Sequence, residues 1–503
     1  MPPAKRNRGR AAADFTGTGA ASVRGEIVRK LEVTVRPRFC VAVSVLLLSA
    51  LPAAFSGAGT AAAGGAAPIP ATAVLLHPGE RYAAPPTPTP PTLAFCRATY
   101  GIACYDPAPL RAAYDLAPLK ADGITGAGQT IIIVDSYGSP TIGADLATFD
   151  ATFHLPAPPA LTVIQPAGPV PPYKENGNRE GWAGETTLDV EYSHAMAPGA
   201  SILLVETPTS ENEGTSGFSQ IVTAEKYVIN HHMGGVISQS FSATEETFPS
   251  KQSLLALRGA YIDAAAKGVT VLAASGDSGA TDSRGNLIDY FLKPVTSWPD
   301  SDPLVTGVGG TQLHLNQAGV HLEPDTVWND TYDVATNELA FGNAGPNPLA
   351  GGGGKSIIFS RPAFQNGVAS VVGDQRGVPD IAMSAACNGG VNTYQSFGGQ
   401  PIGWYPVCGT SEATPLFAGI VALADQVAGH PLGDINPALY QLLDQPSSGI
   451  VDVTSGNNTV SFTQNGTLDT VAGFAAAPGY DLASGVGTVD AAKFVPALAA
   501  AAG

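Results

Sequence analysis

Four short apolar runs set the architecture of this chain: TIIIVDS (130–136), SILLVET (201–207), GGVISQSF (234–241) and VTVLAASG (269–276). Stretches with helical character at 183–196, 217–230 and 252–267 lie between them. Strand-like runs alternating with helices imply a parallel sheet, because parallel neighbours need a crossover and the crossover helix covers a face. The expected fold class is α/β, a doubly wound and mostly parallel sheet with helices on both faces. Such sheets bind ligands at the carboxyl ends of their strands, so the loops after these four runs are where chemistry is expected. No fixed-period repeat interrupts the pattern.

The chain has 503 residues, enough for a large buried core. A formal charge of −17 with only 13% charged residues excludes the clustered Lys and Arg that phosphate contacts require, so nucleic acid is not an expected partner. The charge is unevenly placed. Residues 1–63 hold nine Lys+Arg against three Asp+Glu, and the remaining 440 hold 16 against 39. With so few cations, little ion-pair stabilisation is lost when carboxylates protonate, and tolerance of low pH is expected.

The basic excess belongs to a leader. Arg36 and Arg38 precede FCVAVSVLLLSALPAAF (39–55), seventeen uncharged residues followed by AGTAAAGGAA with Ala-x-Ala options near Ala61–Ala63. This order reads as a signal peptide over 1–63 with an extended basic n-region, which a start codon placed too far upstream would explain. A membrane anchor is the alternative. The run sits at the short edge of the roughly 17–25 residues a spanning helix needs, so the expectation is a secreted protein without stable membrane association after cleavage. Residues 64–94, ending in APPTPTPPT, are expected to be an Ala/Gly/Pro-rich linker or short propeptide without its own core, and 95–503 the globular domain. Loss of Cys40 with the leader leaves Cys96, Cys104, Cys387 and Cys408, which sequence proximity pairs as Cys96–Cys104 and Cys387–Cys408. Nothing around them resembles a zinc site.

Three short motifs carry chemistry. Cys408-Gly409-Thr410-Ser411 runs into the apolar stretch LFAGIVALADQVAG, placing Ser411 at a helix N-terminus, where free N–H groups and the dipole suit a nucleophile whose attack creates an oxyanion. An ordinary helix cap is the competing reading. None of the eight histidines has a base-like neighbourhood; His194, within 183–196, is the one near a motif and reads better as a satisfied helical residue. Carboxylates supply the alternative. In GETTLDVE, Glu185 and Asp189 stand at i and i+4 on one helix face, where two acids repel unless they share a proton or are solvated apart. In ASGDSG, Asp277 follows the 269–274 strand between glycines, a position for either a reactive group or a turn-forming Asp.

GETTLDVE, ASGDSG and GTSEATP, in that order with gaps of 88 and 134 residues, together resemble the sedolisin family of serine-carboxyl peptidases. The likeness spans roughly 105–498 and includes YDPAPLRAAYDL, SWPDSDPLVTGVGGTQL, GGGGKSIIFSRPAFQ and RGVPDIA. The resemblance implies a subtilisin-like fold with Ser-Glu-Asp in place of Ser-His-Asp, acting on peptide or protein substrates in acid as a monomeric endopeptidase, with a tripeptidyl-exopeptidase as the alternative mode. It assigns Ser411 as nucleophile, Glu185 as general base, Asp189 as its orienting partner and Asp277 as oxyanion stabiliser. It also implies one structural calcium ion held by Asp452 and Asp481 with main-chain carbonyls of Val453, Ala477 and Gly479, hard oxygen donors of the kind calcium takes.

The chain departs from the family in having only about 30 low-complexity residues, rather than a folded activation domain, between the expected cleavage site and Phe95. A Cys387–Cys408 bridge ending three residues before Ser411 would pin the nucleophile's strand, closing a loop worth ~3 kcal/mol in the entropy model. Two other readings compete: a histidine-based subtilisin using Asp135, which lacks its His-Gly-Thr-His segment, and an exported binding protein on an inactive protease scaffold.

Overall fold

The computed structural model describes residues 81–503 apart from 286–288; the expected leader and the first part of the linker lie outside the described residues. Its centre is a sheet of eight strands: β1 (Thr130–Ser136), β2 (Leu161–Ile164), β3 (Ser201–Thr207), β4 (Val236–Gln239), β5 (Thr270–Ala274), β6 (Thr306–Gln312), β7 (Thr326–Val327) and β8 (Ile381–Ser384). Their lateral order is β7-β6-β5-β4-β1-β3-β2, with β8 also paired to β6. Every pairing is parallel except β6 with β7. The order reverses at β1, which neighbours both β3 and β4, so the crevice outside its carboxyl end is the topological switch point.

The apolar character of the four runs follows from burial on both faces. On β1, Ile131 and Ile133 enter one hydrophobic cluster, and Ile132 and Val134 enter the other. The helices Gly177–Met196 (the acidic helix) and Thr410–Ala428 (named the nucleophile helix for the role expected of Ser411) belong to the first face. Thr215–Asn230 and Gly259–Lys267 cover the second. The two long helices of the first face approach closely because Gly419 lies where a Cβ would come within 2.5 Å of Met196 Cβ.

Strand expectations 130–136 and 201–207 coincide with β1 and β3, whereas 234–241 and 269–276 shorten to β4 and β5 as their ends turn into loops. The helix expected over 252–267 breaks into Lys251–Leu255 and Gly259–Lys267. Arg258, between them, forms a two-pronged ion pair with Asp302, and Gly259 weakens helix continuation. The helix expected from 183 starts at Gly177, where the Asn176 side chain accepts the Arg179 N–H at 3.2 Å.

The globular region begins earlier than Phe95. Arg81–Tyr82 pairs antiparallel with Val407 and Cys408, Ala83 and Ala84 are buried, and the Thr87 N–H donates to the Trp404 carbonyl at 2.9 Å. Residues 84–92 are therefore packed onto the domain rather than a free tether, since proline is tolerated at the edge of a sheet. Just before them, Arg81–Tyr82 forms the edge of a second sheet ordered Arg81–Tyr82, Gly403–Cys408, Gly390–Gln395, Cys104–Tyr105. Both expected disulfides, Cys96–Cys104 and Cys387–Cys408, are formed. Among the described residues no helix is long and apolar enough to cross a membrane.

Candidate active site

Ser411 is the second residue of the nucleophile helix and fully buried, and its Oγ has no hydrogen-bond partner among the described residues. Gly409, with φ 128°, turns the chain from strand 403–408 into the helix, a backbone conformation that favours glycine. Its N–H donates to the Ala385 carbonyl at 2.8 Å, two residues before the Cys387–Cys408 bridge. The approach to Ser411 is thus held by a disulfide and a main-chain bond to one segment. Pro415, the sixth residue of the helix, lacks the N–H that would bond the Ser411 carbonyl, and the Ser240 hydroxyl lies 3.4 Å from that carbonyl instead.

Asp277 stands three residues past β5 and is 7% exposed. Its Oδ1 accepts two hydrogen bonds from Thr410, one from the main-chain N–H at 2.7 Å and one from Oγ at 2.9 Å. The Thr410 Oγ in turn accepts the Gly276 N–H at 3.1 Å. The 275–277 turn is braced by the glycine-rich segment, since the Gly352 N–H donates to the Gly276 carbonyl at 2.7 Å and the Ala350 N–H to the Asp277 carbonyl at 3.0 Å. The structure therefore joins ASGDSG and GTSEATP directly, although 133 residues separate Asp277 from Thr410.

Glu185 and Asp189 are both fully buried on the acidic helix, so they do not form a solvated acidic face. Asp189 Oδ1 accepts the Ser240 hydroxyl at 2.9 Å, and that hydroxyl also lies 3.4 Å from the Ser411 carbonyl. Ser240 follows β4 at its carboxyl end and ties the acidic helix to the backbone of Ser411. Sequence reasoning missed it, although its position in GGVISQSF, one residue past β4, was a usable signal.

Two more buried acids surround this arrangement. Glu412, next to Ser411, is fully buried. Burial pushes its carboxyl well above the usual range, the Ser384 hydroxyl opposing and the Asp277 charge adding. Asp135, at the end of β1, is pushed up to about 7 by burial, opposed by the Thr186 hydroxyl and aided by the Glu206 charge. His194 supplies no partner for Asp135: its Nε2 lies 2.8 Å from the Pro156 carbonyl and 3.2 Å from Asp150. His194 is thus engaged through Nε2 alone, its buried Nδ1 having no hydrogen-bond partner among the described residues, and neither contact links it to Asp135.

At the C-terminal end, Asp452 is drawn onto the 477–481 loop, its Oδ2 accepting the Gly479 N–H at 2.9 Å. Asp481 Oδ1 accepts the Ala483 and Ser484 N–H groups at 2.8 and 2.9 Å, and its Oδ2 accepts that of Ala477 at 3.0 Å. Burial raises the Asp481 carboxyl while these three amides oppose the shift. Val453 is buried beside Asp452. All five residues expected at the cation site thus lie on two adjoining segments.

A serine opening a helix at the carboxyl edge of a doubly wound parallel sheet, with buried carboxyls bonded around it, defines a subtilisin-like protein. Comparison with known proteins agrees: the chain belongs to the subtilase family, whose profile matches residues 176–438, and within it to the sedolisin group. It is 33% identical over 384 residues to kumamolisin of Bacillus sp. (strain MN-32), covering 75% of this chain and 61% of that protein. It is 29% identical to sedolisin of Pseudomonas sp. (strain 101), covering 73% and 57%, and 31% identical to tripeptidyl-peptidase 1 of Homo sapiens, covering 60% and 50%. The solved structure of Pseudomonas sedolisin, a serine-carboxyl proteinase complexed with two molecules of pseudo-iodotyrostatin, superposes with a TM-score of 0.64 at 26% identity over 78% of this chain and 97% of that one. The chain spans roughly half to three-fifths of the length of these curated relatives.

Proposed function

We propose that this protein is a secreted, acid-active serine-carboxyl endopeptidase. Ser411 Oγ attacks the scissile carbonyl carbon while Glu185 takes its proton and Asp189 orients Glu185. The tetrahedral oxyanion accepts a hydrogen bond from protonated Asp277. Collapse expels the amine, which takes the proton from Glu185, and water then hydrolyses the acyl-enzyme by the same route. The observation that carries this reading is the Thr410–Asp277 pair, which fixes a buried carboxyl against the residue preceding Ser411 at the positive end of a helix.

Acid operation follows from the residue types. At pH 4 a histidine base is protonated, whereas a carboxylate of matched pKa still accepts a proton, and a carboxyl in an oxyanion hole must be neutral to donate. The relatives include a serine-carboxyl proteinase and tripeptidyl-peptidases by name, and we favour internal cleavage; sequencing the products of a long peptide separates the two modes. Two formed disulfides agree with an oxidising compartment.

We further propose one structural calcium ion at the C-terminal loops. Asp452 and Asp481 with the Val453, Ala477 and Gly479 carbonyls offer only hard oxygen donors, which fit calcium and disfavour softer metals. Among the described residues no three His, Cys, Asp or Glu side chains gather at one point, so a cation there would depend on main-chain oxygens. The ion's contribution would be to tie the two loops together. The test of the activity is hydrolysis of a fluorogenic peptide at pH 4 by the wild type and by Ser411→Ala. Equal rates, or no wild-type rate, would support the inactive-scaffold reading instead.

A further inference from the structure

The reaction as proposed asks one thing of Asp277 that a carboxyl group does not guarantee: its proton must sit on a defined oxygen. A free carboxylic acid can carry the proton on either oxygen and can rotate about its Cβ–Cγ bond, and only one of these arrangements aims the O–H at the oxyanion. We propose that Thr410 is a positioning residue that selects the oxygen of Asp277 carrying the proton.

The geometry is a three-member chain. The Gly276 N–H donates to Thr410 Oγ at 3.1 Å, so that oxygen's acceptor role is met and its own hydrogen is directed away from Gly276. That hydrogen points to Asp277 Oδ1, 2.9 Å away. The Thr410 N–H donates to the same Oδ1 at 2.7 Å. An oxygen that accepts two hydrogen bonds is the carbonyl oxygen of the neutral acid, so the proton resides on Oδ2. Both bonds come from one residue at the start of the nucleophile helix, and they fix the carboxyl plane relative to that helix. Donor and nucleophile therefore share one rigid reference, with Thr410 at 1% and Ser411 at 0% exposure.

Those bonds also bear on titration. Hydrogen bonds donated to a carboxyl favour its ionised form and lower its pKa. Thr410 thus fixes the direction of the proton while making it easier to lose, and its hydroxyl lowers the pH at which activity fails on the alkaline side.

This inference rests on the serine-carboxyl reading, and the experiment keeps the two apart. Activity of the wild type at pH 4, abolished in Ser411→Ala, secures the reading first. Thr410→Val and Thr410→Ala then remove the hydroxyl but leave the main-chain N–H, and Thr410→Ser restores it. The kcat of the first two is expected to fall about tenfold at the optimum, part of the ~10²–10³ that a complete oxyanion donor supplies. The alkaline limb of kcat/KM is expected to move up by roughly half to one pH unit, the scale of one hydrogen bond to a carboxyl. Thr410→Ser should return both values to near wild type. An alkaline limb unmoved in whichever hydroxyl-less variant folds, or a serine variant that behaves like valine, overturns the assignment, because lost packing alone changes rate or melting temperature and leaves the titration in place. A second readout uses Asp277→Asn: in that background Thr410→Val should still lower kcat by loosening the amide, but no alkaline limb should remain for it to shift.

Discussion

The far end of the nucleophile helix offers a clean test of how buried acids govern stability. Asp425 is fully buried, and its Oδ1 accepts the Leu432 N–H at 2.9 Å. Burial pushes its carboxyl from an ordinary 3.8 up to about 7, with the Leu432 amide and the His430 charge opposing. Below about pH 4 both folded and unfolded chains hold this proton, and the group costs nothing. Between about 4 and 7 the folded chain holds it and the unfolded chain does not, so folding stability falls by ~1.4 kcal/mol per pH unit. Above about 7 the loss is complete, and a rise of about three units amounts to ~4 kcal/mol. Asp425→Asn keeps an acceptor for Leu432, keeps the shape and abolishes the titration. Measured in a Ser411→Ala background to prevent self-digestion, it should melt within a degree or two of its parent at pH 4. At pH 7.5 it should melt roughly 4–8 °C higher, taking ~1–2 °C per kcal/mol for a domain of this size. Calorimetry at pH 4, 5.5 and 7.5 gives the trend. A variant destabilised equally at every pH would show that the Asp425 carboxyl is not raised in the folded protein and would refute the reasoning.

Three further outcomes concern the site and the loops. Glu185→Gln removes the base while preserving shape, so kcat should fall at least ~10²; near-normal turnover would remove Glu185 from that role. The wild-type kcat/KM should be bell-shaped with its centre at roughly pH 3–5, and Asp277→Asn, whose amide donates at any pH, should keep some activity and lose the alkaline limb. A wild-type optimum at pH 7–9 would instead require a histidine base. Calcium chelation should lower the melting temperature of the wild type; Asp481→Ala should melt lower still, since three amides lose their acceptor, and should no longer respond to EDTA.

The fold was legible because parallel sheets leave a strong trace in sequence. Each of Ile131 to Val134 faces one core or the other, so the whole run must be apolar, and β1 and β3 could be bounded to the residue. The tether expectation failed for the opposite reason: residues 81–94 bond mainly through backbone at a sheet edge, and proline-rich composition does not reveal which edge is available. The three motifs were visible as local strings because each sits on a single helix or turn. Ser240 and Glu412 were not singled out, since their meaning lies in partners far along the chain: Asp189 is 51 residues from Ser240, and Asp277 is 135 from Glu412.

The acids of the site and those of the interior impose the same pH window. In the proposed mechanism Glu185 is ionised and Asp277 neutral, which would confine turnover to acid. Away from the proposed chemistry, Glu225 lies fully buried in the opposite hydrophobic cluster's helix and burial alone pushes it well above the usual range. Asp330 rises to about 6 and Glu211 to about 8, in both cases chiefly by burial. A group whose folded pKa exceeds its unfolded one stabilises below the unfolded value and progressively ceases to do so as pH rises through the folded value. Each of these carboxyls therefore costs the fold nothing while protonated near pH 4 and weakens it as pH rises, Asp330 up to about 6 and Glu211 up to about 8. A histidine-based subtilase gains nothing from such an interior, because its base works only where these acids would be ionising. The proposed carboxylate base would place the working range where these acids are neutral. The low count of Lys and Arg then ceases to be a liability, since few of these carboxyls need a cation.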